Sequence, residues 1–383
     1  MSGPLKVLHL ITWFAPGGIE RWLLSMLKVV DRQRVAMDFC CKGPTTGILS
    51  YEAESAGAKV YHCPLSPTHI GFIKGVGQII RSGGYHIVHN HLENYAGVGV
   101  YAAKRCGLAV ITGFHNTSFP AQMLPELPLL HKLRDFYGSF SIRYALRHSD
   151  LITGCSQAVI DFLKEKYNLR QEKGRVLYYG VKVPPQKSAA ERDCFRAALG
   201  LSPDDLVITH VGRFLPQKNH MGLVRVADKV IKQDSRAHFV LVGDGPLRKS
   251  IEIMVEDRNL NRNFSFLGIR DDVEDVLGIS DIFFLPSCWE GLGLVVLEAM
   301  SVGLPVVASD LQVLRETVVD NDSGILWPVH DEEGMAQQIL ELLADPDKRQ
   351  AMGAAGRRVV EAKFSLDASA ERLCQVYEGL SHS

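Results

Sequence analysis

The stretch Pro286-Ser-Cys-Trp-Glu-Gly-Leu-Gly-Leu-Val-Val-Leu-Glu-Ala-Met300 decides how this chain is read. Ile282-Phe-Phe-Leu leads into it and reads as a short buried strand, while Leu294 to Met300 reads as a helix that is apolar nearly all round. Gly291 and Gly293 lie in the loop between them. The order strand, glycine-bearing loop, helix N-terminus offers an anion unpaired backbone N–H groups and the positive end of a helix dipole. Glu290 and Glu298 stand eight residues apart across this segment. Glu298 falls about one turn into the helix, among Val295, Val296, Leu297, Ala299 and Met300. A carboxylate there is costly unless it is hydrogen-bonded, and sugar hydroxyls are suitable donors. A phosphate site beside two carboxylates points to a nucleotide-sugar.

Outward from this segment the chain alternates β-branched runs with helical stretches. Strands are expected at Val7–Thr12, Val35–Cys41, Lys59–Cys63, His86–His91, Val110–His115 and Leu151–Cys155 in the first half. In the second half they are expected at Val176–Val181, Val207–Gly212, His238–Gly243, Phe264–Gly268, Ile282–Pro286, Pro305–Ser309 and Gly324–Trp327. The βαβα rhythm implies parallel sheets covered on both faces, and so many strands imply two doubly wound α/β domains. The boundary is expected near Lys173–Gly174. Pro346–Ala362 and Leu366–Leu380 are helical, and no strand follows them.

Ligands of doubly wound sheets bind beyond the carboxyl ends of the strands, so the residues after each strand matter most. Gly17-Gly18 follows the first strand and lets the backbone approach a phosphate, although a tight turn without a ligand fits equally well. Gly212-Arg-Phe-Leu-Pro-Gln-Lys-Asn219 places Arg213 and Lys218 around a proline turn ahead of a helix. Two cations there suit a diphosphate, against the plainer reading of solvated surface charges. Gly243 closes one strand, and Ile269-Arg270 follow another; strand-to-helix turns use such residues for backbone reasons too. His115 ends a strand and is either a structural hydrogen-bonder or a group lining a cleft. In His86-Ile-Val-His-Asn-His91, alternation puts His89 and His91 on one face. No carboxylate or cysteine accompanies them at metal-ligand spacing, so a cleft-lining or satisfied pair is expected and no metal.

Taken in order, these elements resemble glycosyltransferase family 4, whose members carry an E-x7-E signature and a two-domain GT-B fold with two Rossmann-like domains facing a cleft. The resemblance spans nearly the whole chain: the Gly-Gly loop, His115, the G-R-x5-K element, the Gly243 and Gly268 turns and the twin glutamates. It implies that Glu290 contacts the donor sugar and Glu298 the ribose. It implies that Arg213, Lys218 and the helix start at Gly293, Leu294 and Val295 stabilise a departing nucleoside diphosphate without a metal. Gly17 and Gly18 would face the diphosphate, Ile269 and Arg270 would hold the base, and Gly243 would line the pocket. His115 would lie near the donor sugar as a positioning or polarising group. The resemblance further implies a retaining reaction and a final helix that crosses back to the first domain. The chain departs from the family at Tyr179-Gly-Val-Lys182, where N-G-V-D or a close variant is usual; this alters turn chemistry near the hinge and puts no catalytic assignment in doubt.

Composition agrees with a protein of ordinary two-domain size. The chain has 383 residues, 46% hydrophobic and 22% charged, with no long uninterrupted apolar run and no signal-peptide pattern at its start. Its eight cysteines form no C-x-x-C pair and are expected to be reduced, buried thiols of a cytoplasmic protein. Residues 1–173 carry a net charge of +7 and residues 174–383 a net charge of −8, beneath an overall −1. The basic half would face an acidic acceptor or an anionic membrane surface rather than nucleic acid, unless the split is merely a difference between two surfaces. Leu129, Leu133, Phe136, Phe140 and Tyr144 recur at helical spacing and are expected to pack in the core, with basic residues on their flanks.

The expectation is therefore an acceptor-side domain at 1–173 joined by a C-terminal helix at 364–383, and a donor-binding domain at 174–363. The enzyme would move a sugar from a nucleoside diphosphate sugar, UDP-linked by default, to a glycan, lipid-linked or small-molecule hydroxyl, in cell-surface polysaccharide or glycoconjugate synthesis. It would need no cofactor and would work in the cytoplasm or against the inner face of the membrane. A nucleotide-sugar epimerase, a glycosyl phosphorylase and a non-catalytic nucleotide-sugar-binding subunit are the alternatives. Epimerised donor in the absence of acceptor would mark the first of these, and tight donor binding without turnover the last.

Overall fold

A computed structural model of the chain describes residues 3–15, 17–117 and 128–381, with backbone alone at 128–131 and 381. The chain divides into two units, Met1–Tyr179 with Leu366–Ser383, and Gly180–Ser365. The first unit holds β1 (Leu5–Ile11), β2 (Val35–Cys41), β3 (Val60–His62), β4 (Ile87–Asn90), β5 (Ala109–Phe114), β6 (Leu151–Gly154) and β7 (Gly174–Val176). The second holds β8 (Leu206–Val211), β9 (Ala237–Val242), β10 (Phe264–Gly268), β11 (Ile282–Leu285), β12 (Val306–Ser309) and β13 (Ile325–Trp327). The sheets run β3-β2-β1-β4-β5-β6-β7 and β10-β9-β8-β11-β12-β13, and every pairing between these strands is parallel.

Central strands of such sheets are covered on both faces, so they read as continuous apolar runs. β11 and β12 are buried at every position. Phe283 and Phe284 are completely withdrawn from solvent, each stabilising the fold by up to about 3 kcal/mol through burial. One face of the second sheet packs Ile208, Phe239, Leu241, Ile282 and Phe284 against helices contributing Leu223, Val226, Val230 and Ile339.

The strand order of each sheet reverses at one place: between β1 and β4 in the first, between β8 and β11 in the second. At these switch points the following loops diverge to opposite faces and leave a crevice beyond the strand ends. The residues after β1, β4, β8 and β11 are thus the ones positioned to meet a ligand.

Two expectations differ from the structure. The strand expected at Val176–Val181 to open the second domain instead forms at Gly174–Val176 and completes the first sheet. The free edge of β6 accepts it, and the Leu177 N–H donates to the Gly154 carbonyl at 2.8 Å, so the division falls after Tyr179 rather than at Lys173. The last helix, Leu366–Ser381, belongs to the first unit. There Trp22 Nε1 donates to Ser369 Oγ at 3.1 Å, and Arg34 pairs with Glu371 at 2.6 Å and Glu378 at 2.8 Å.

The second difference concerns the helix Pro128–His148. Leu133, Phe136 and Phe140 are not core: they are 57%, 74% and 61% exposed. Tyr144 is half-buried, and the Leu129 side chain lies outside the described residues. The docked face is instead the one carrying Gly138, Ser141, Ile142 and Ala145. Ser141 Oγ accepts from the Gly97 N–H at 2.9 Å, and a Cβ on Gly97 would stand 2.8 Å from the Ser141 carbonyl oxygen. Small residues at 97, 138 and 141 bring the two helices together, a signal that a search for bulky apolar spacing passes over.

Candidate active site

In the second unit the loops after β8 and β11 are tied together. Gln217 accepts from the Cys288 N–H through its backbone carbonyl at 2.8 Å and donates through Nε2 to the Trp289 carbonyl at 2.9 Å. Asn219 Nδ2 donates to the Pro286 carbonyl at 3.1 Å, while its Oδ1 accepts from the Gly222 N–H and caps the next helix. This lacing holds the short turn Pro216–Lys218 against the Glu290 loop. Lys218 Nζ donates to Glu290 Oε1 at 2.6 Å, with the two side chains only 15% and 7% exposed. Arg213, from the same loop as Lys218, is exposed.

Gly293 caps the helix Leu294–Ser301 in the left-handed conformation, at φ 74°. A Cβ there would stand 2.6 Å from Leu314 Cδ2. Most of this helix is buried, through Val296, Leu297, Ala299 and Met300. Leu294, Val295 and Glu298 form its half-exposed stripe. Glu298 thus shares a helix face with the two residues that start the helix, and the stripe offers backbone donors and a carboxylate together.

Gly243 adopts φ 128° where strand ends converge. Its N–H donates to the Gly268 carbonyl at 2.8 Å, and a Cβ would stand 2.2 Å from the Gly212 carbonyl oxygen. Only glycine allows that approach. Ile269 is 63% exposed beyond β10. The guanidinium of Arg270 is held by Asp272, with Nε donating to Oδ1 at 2.6 Å. Beneath the Lys218 turn, His210 and His220 are buried and neutral, held down chiefly by burial, with the Lys218 charge adding to it.

In the first unit, Thr12, Glu20, His91, Glu93, His115 and Asn116 line a cavity of about 120 Å³ beyond the β1 and β4 ends. Burial pushes the His115 imidazole down to about 3, so it is neutral at working pH. Its Nδ1 shares a hydrogen bond of 2.5 Å with the Tyr179 hydroxyl, and its Nε2 one of 3.2 Å with His91 Nδ1. Glu93, in a left-handed conformation at φ 44°, accepts from the His115 N–H and from Asn116 Nδ2, both at 3.3 Å. Such a conformation is uncommon for a side chain of this size and marks functional sites more often than ordinary turns.

Gly17 precedes the helix Gly18–Val29, and Glu20 in its first turn folds back over the helix start. A Cβ on Gly17 would stand 2.4 Å from Glu20 Oε2. Burial lifts the Glu20 carboxyl to about 7, against the lowering effect of its own backbone N–H; the charge of Glu93 adds to the rise. His9, His89 and His91 bring ring nitrogens within 4.8 Å of one another and are the group able to hold a metal among the described residues.

The structure therefore gathers Lys218 and Glu290 into direct contact, and sets Leu294, Val295 and Glu298 on one helix face. It places His115 in a cavity of the first unit. Glu20, Glu93 and the Tyr179 hydroxyl contact to His115 escaped the sequence reading. Glu20 was legible in principle, standing three residues after the helix-capping Gly17. Glu93 carries no periodic or motif signal.

Comparison with known proteins fits both halves. Residues 16–183 match the family described as Glycosyltransferase Family 4, and residues 191–359 match Glycosyl transferases group 1. A putative glycosyltransferase of Bacillus subtilis, EpsF, is 29% identical over 81% of this chain and 80% of its own length. An Escherichia coli UDP-Gal:alpha-D-GlcNAc-diphosphoundecaprenol alpha-1,3-galactosyltransferase is 27% identical over 89% of this chain and 88% of its own. The crystal structure of Anabaena HepE in complex with UDP superposes with a TM-score of 0.83 at 21% identity, covering 99% of this chain and all of that one. Two parallel α/β sheets, charged residues at the strand ends of the second, and family matches over each half lead to one assignment: the chain is a glycosyltransferase of family 4, group 1, with the GT-B fold.

Proposed function

We propose that this enzyme transfers a sugar from a UDP-sugar to a hydroxyl of a glycan or lipid-linked acceptor, with retention of anomeric configuration and without a metal. The observation that carries the reading is the Lys218–Glu290 contact beside the glycine-capped helix start of Gly293. A lysine, an exposed arginine and free helix N–H groups at one set of strand ends supply fixed positive charge where a diphosphate leaves. Glu290, oriented by Lys218, accepts hydrogen bonds from the donor sugar, and Glu298 accepts them from the ribose hydroxyls. Ile269 offers an exposed apolar face to the base. In the first unit Gly17 and Gly18 form a turn able to approach a phosphate, and His115 acts as a neutral positioning group for the acceptor hydroxyl. The acceptor hydroxyl binds among Glu93, Asn116 and His115, and its proton leaves with the diphosphate. UDP is the favoured nucleotide because the E. coli relative is named for UDP-Gal and the Anabaena protein was solved with UDP. Retention follows from the family resemblance.

No helix among the described residues is long and apolar enough to cross a membrane. The exposed Leu133, Phe136 and Phe140, flanked by exposed Lys132 and Arg134, instead rest on an anionic bilayer surface at the cytoplasmic face. That placement suits a lipid-linked acceptor such as the one in the E. coli relative's name.

The test is turnover of UDP-sugars with glycan and undecaprenol-linked acceptors in EDTA, with product anomers assigned by NMR. An α-linked product from an α-linked donor is expected. An inverted product, or activity abolished by EDTA and restored by a divalent cation, overturns the corresponding part of the proposal.

A further inference from the structure

The first unit contains a continuous line of imidazoles and phenols, of which the proposed transfer uses His115. Parallel register sets His9 on β1 opposite His89 on β4. The last helix adds Tyr377, which is completely buried. His89 Nδ1 lies 2.8 Å from the Tyr377 hydroxyl, which lies 3.3 Å from His9 Nε2. His9 Nδ1 lies 3.1 Å from His91 Nε2, His91 Nδ1 lies 3.2 Å from His115 Nε2, and His115 Nδ1 lies 2.5 Å from the Tyr179 hydroxyl. The His9 and His91 rings are 2° from parallel with centroids 5.3 Å apart. With facing nitrogens at 3.1 Å, they meet edge to edge rather than face to face.

All four imidazoles are neutral, since burial is the leading cause that drives each below its ordinary value. A neutral imidazole has one donor and one acceptor nitrogen, and each bridging hydroxyl donates one bond and accepts another. Reversing a single ring would set two N–H groups, or two lone pairs, against each other. All five bonds are therefore satisfied only when every proton points the same way along the line. Two such arrangements exist.

The far end selects between them. His89 Nε2 is buried without a hydrogen-bond partner. An orphaned buried N–H is rarer than an orphaned acceptor, so the favoured arrangement leaves Nε2 bare and puts the His89 proton on Nδ1. From there the direction is fixed. His89 donates to Tyr377, Tyr377 to His9, His9 to His91, His91 to His115, and His115 to the Tyr179 oxygen.

We infer that this line is a tautomer lock for His115, in which Tyr179 is a positioning residue that takes the Nδ1 proton and fixes the imidazole lining the first unit's cavity. The inference rests on the proposed role of His115 toward the acceptor hydroxyl for its catalytic consequence, and not for its chemistry. His115 carries its proton on Nδ1, and the Tyr179 hydroxyl proton turns about its C–O bond out of the line, a freedom that a ring N–H at His89 lacks. His9, His89 and His91 are thereby occupied as hydrogen-bonding groups, with Nε2 of His89 the single ring nitrogen outside the line.

The test uses full-length protein labelled with ¹⁵N-histidine, with tautomers read from long-range ¹H–¹⁵N correlations. His9, His89, His91 and His115 should all show a protonated Nδ1 and a bare Nε2. Tyr179→Phe removes the acceptor of the His115 Nδ1 proton, so each direction now strands one ring N–H, at His115 or at His89; mixed tautomers should appear at all four rings. Turnover should fall in step with the lost His115 tautomer, roughly twofold if the two directions become equal, with donor KM unchanged. Tyr377→Phe, at the other end, moves the bare nitrogen to His9 Nε2, so His9, His91 and His115 should keep a protonated Nδ1; it serves if Tyr179→Phe fails to fold, a protonated Nε2 on His115 there overturning the lock. A protonated Nε2 on His115 or His91 in the wild type overturns the lock, as does an unchanged His115 tautomer in Tyr179→Phe. Shifted tautomers with unchanged kcat overturn the positioning role. Because the tautomers are read without substrate, a wild type that transfers no sugar would count against the proposed reaction and leave the lock to be judged by NMR.

Discussion

Lys218 Nζ sits 2.6 Å from Glu290 Oε1, with neither side chain more than 15% exposed. The contact joins the loop after β8 to the loop after β11, so the strand order of the second sheet brings the two residues together. A charge-assisted bond this short and this sheltered is stronger than a surface pair. Removing either partner takes from a sheltered charge its oppositely charged neighbour.

Lys218→Ala and Glu290→Ala should each lower kcat on the order of a hundredfold or more. The double variant should fall far less than the product of the two effects, because the residues act as one unit. Each single variant should also lose up to about 3 kcal/mol of stability, whereas Arg225→Ala, which breaks a more exposed pair with Glu332, should cost under ~1 kcal/mol and leave turnover alone. Steady-state kinetics beside urea unfolding check this. Full turnover in both single variants would remove the pair from the site.

Glu20 gives a pH signature. Its folded-state carboxyl is raised to about 7 from an ordinary 4.5. The folded state therefore binds more protons than the unfolded state between those values, and stability falls as pH rises through them. The loss is up to roughly 3 kcal/mol. Glu20→Gln should flatten the decline in Tm between pH 5 and pH 8. Parallel Tm–pH profiles for the two proteins would contradict this.

Gly293→Ala should lose about 1–2 kcal/mol from its left-handed backbone alone, and more because the new methyl meets Leu314 Cδ2 at 2.6 Å. It should also weaken nucleotide binding, since the helix start must shift. Gly107→Ala, at φ 75° with nothing within 4 Å of the added carbon, should show the backbone cost alone. Equal losses in the two variants would mean that Leu314 gives way freely.

The helix Pro128–His148 offers a surface prediction. The double variant Phe136→Ser/Phe140→Ser should fold as the wild type does, because both rings are exposed, and should sediment less with phosphatidylglycerol vesicles. Added salt should weaken the wild-type association. Unchanged sedimentation in the double variant, or none by the wild type, rules out a bilayer partner for this face.

The two sheets were legible because fully buried parallel strands such as Ile282–Leu285 and Val306–Ser309 are continuous apolar runs. The positions of Arg213, Lys218, Glu290 and Glu298 beyond β8 and β11 were legible because they follow such runs at fixed offsets. Other features depend on distant segments. Glu93 owes its place to a left-handed turn, and Tyr377 meets His89 only because the last helix returns to the first unit. The docked face of Pro128–His148 is set by Gly97, Gly138 and Ser141, and small residues leave no hydrophobic periodicity to read. Gly174–Val176 joins the first sheet because the β6 edge is open to it, which local propensity does not encode.

Calorimetric titration of UDP in EDTA, into the wild type and into Glu298→Ala, tests the central claim most directly. If the strand ends of the second unit form a nucleotide-sugar site, UDP binds the wild type without added metal. Glu298→Ala, stripped of its bonds to the ribose hydroxyls, should bind at least about tenfold more weakly, a loss of roughly 1.4 kcal/mol. Equal affinity in the two proteins, or no binding of UDP, GDP, ADP or dTDP by the wild type, would contradict it.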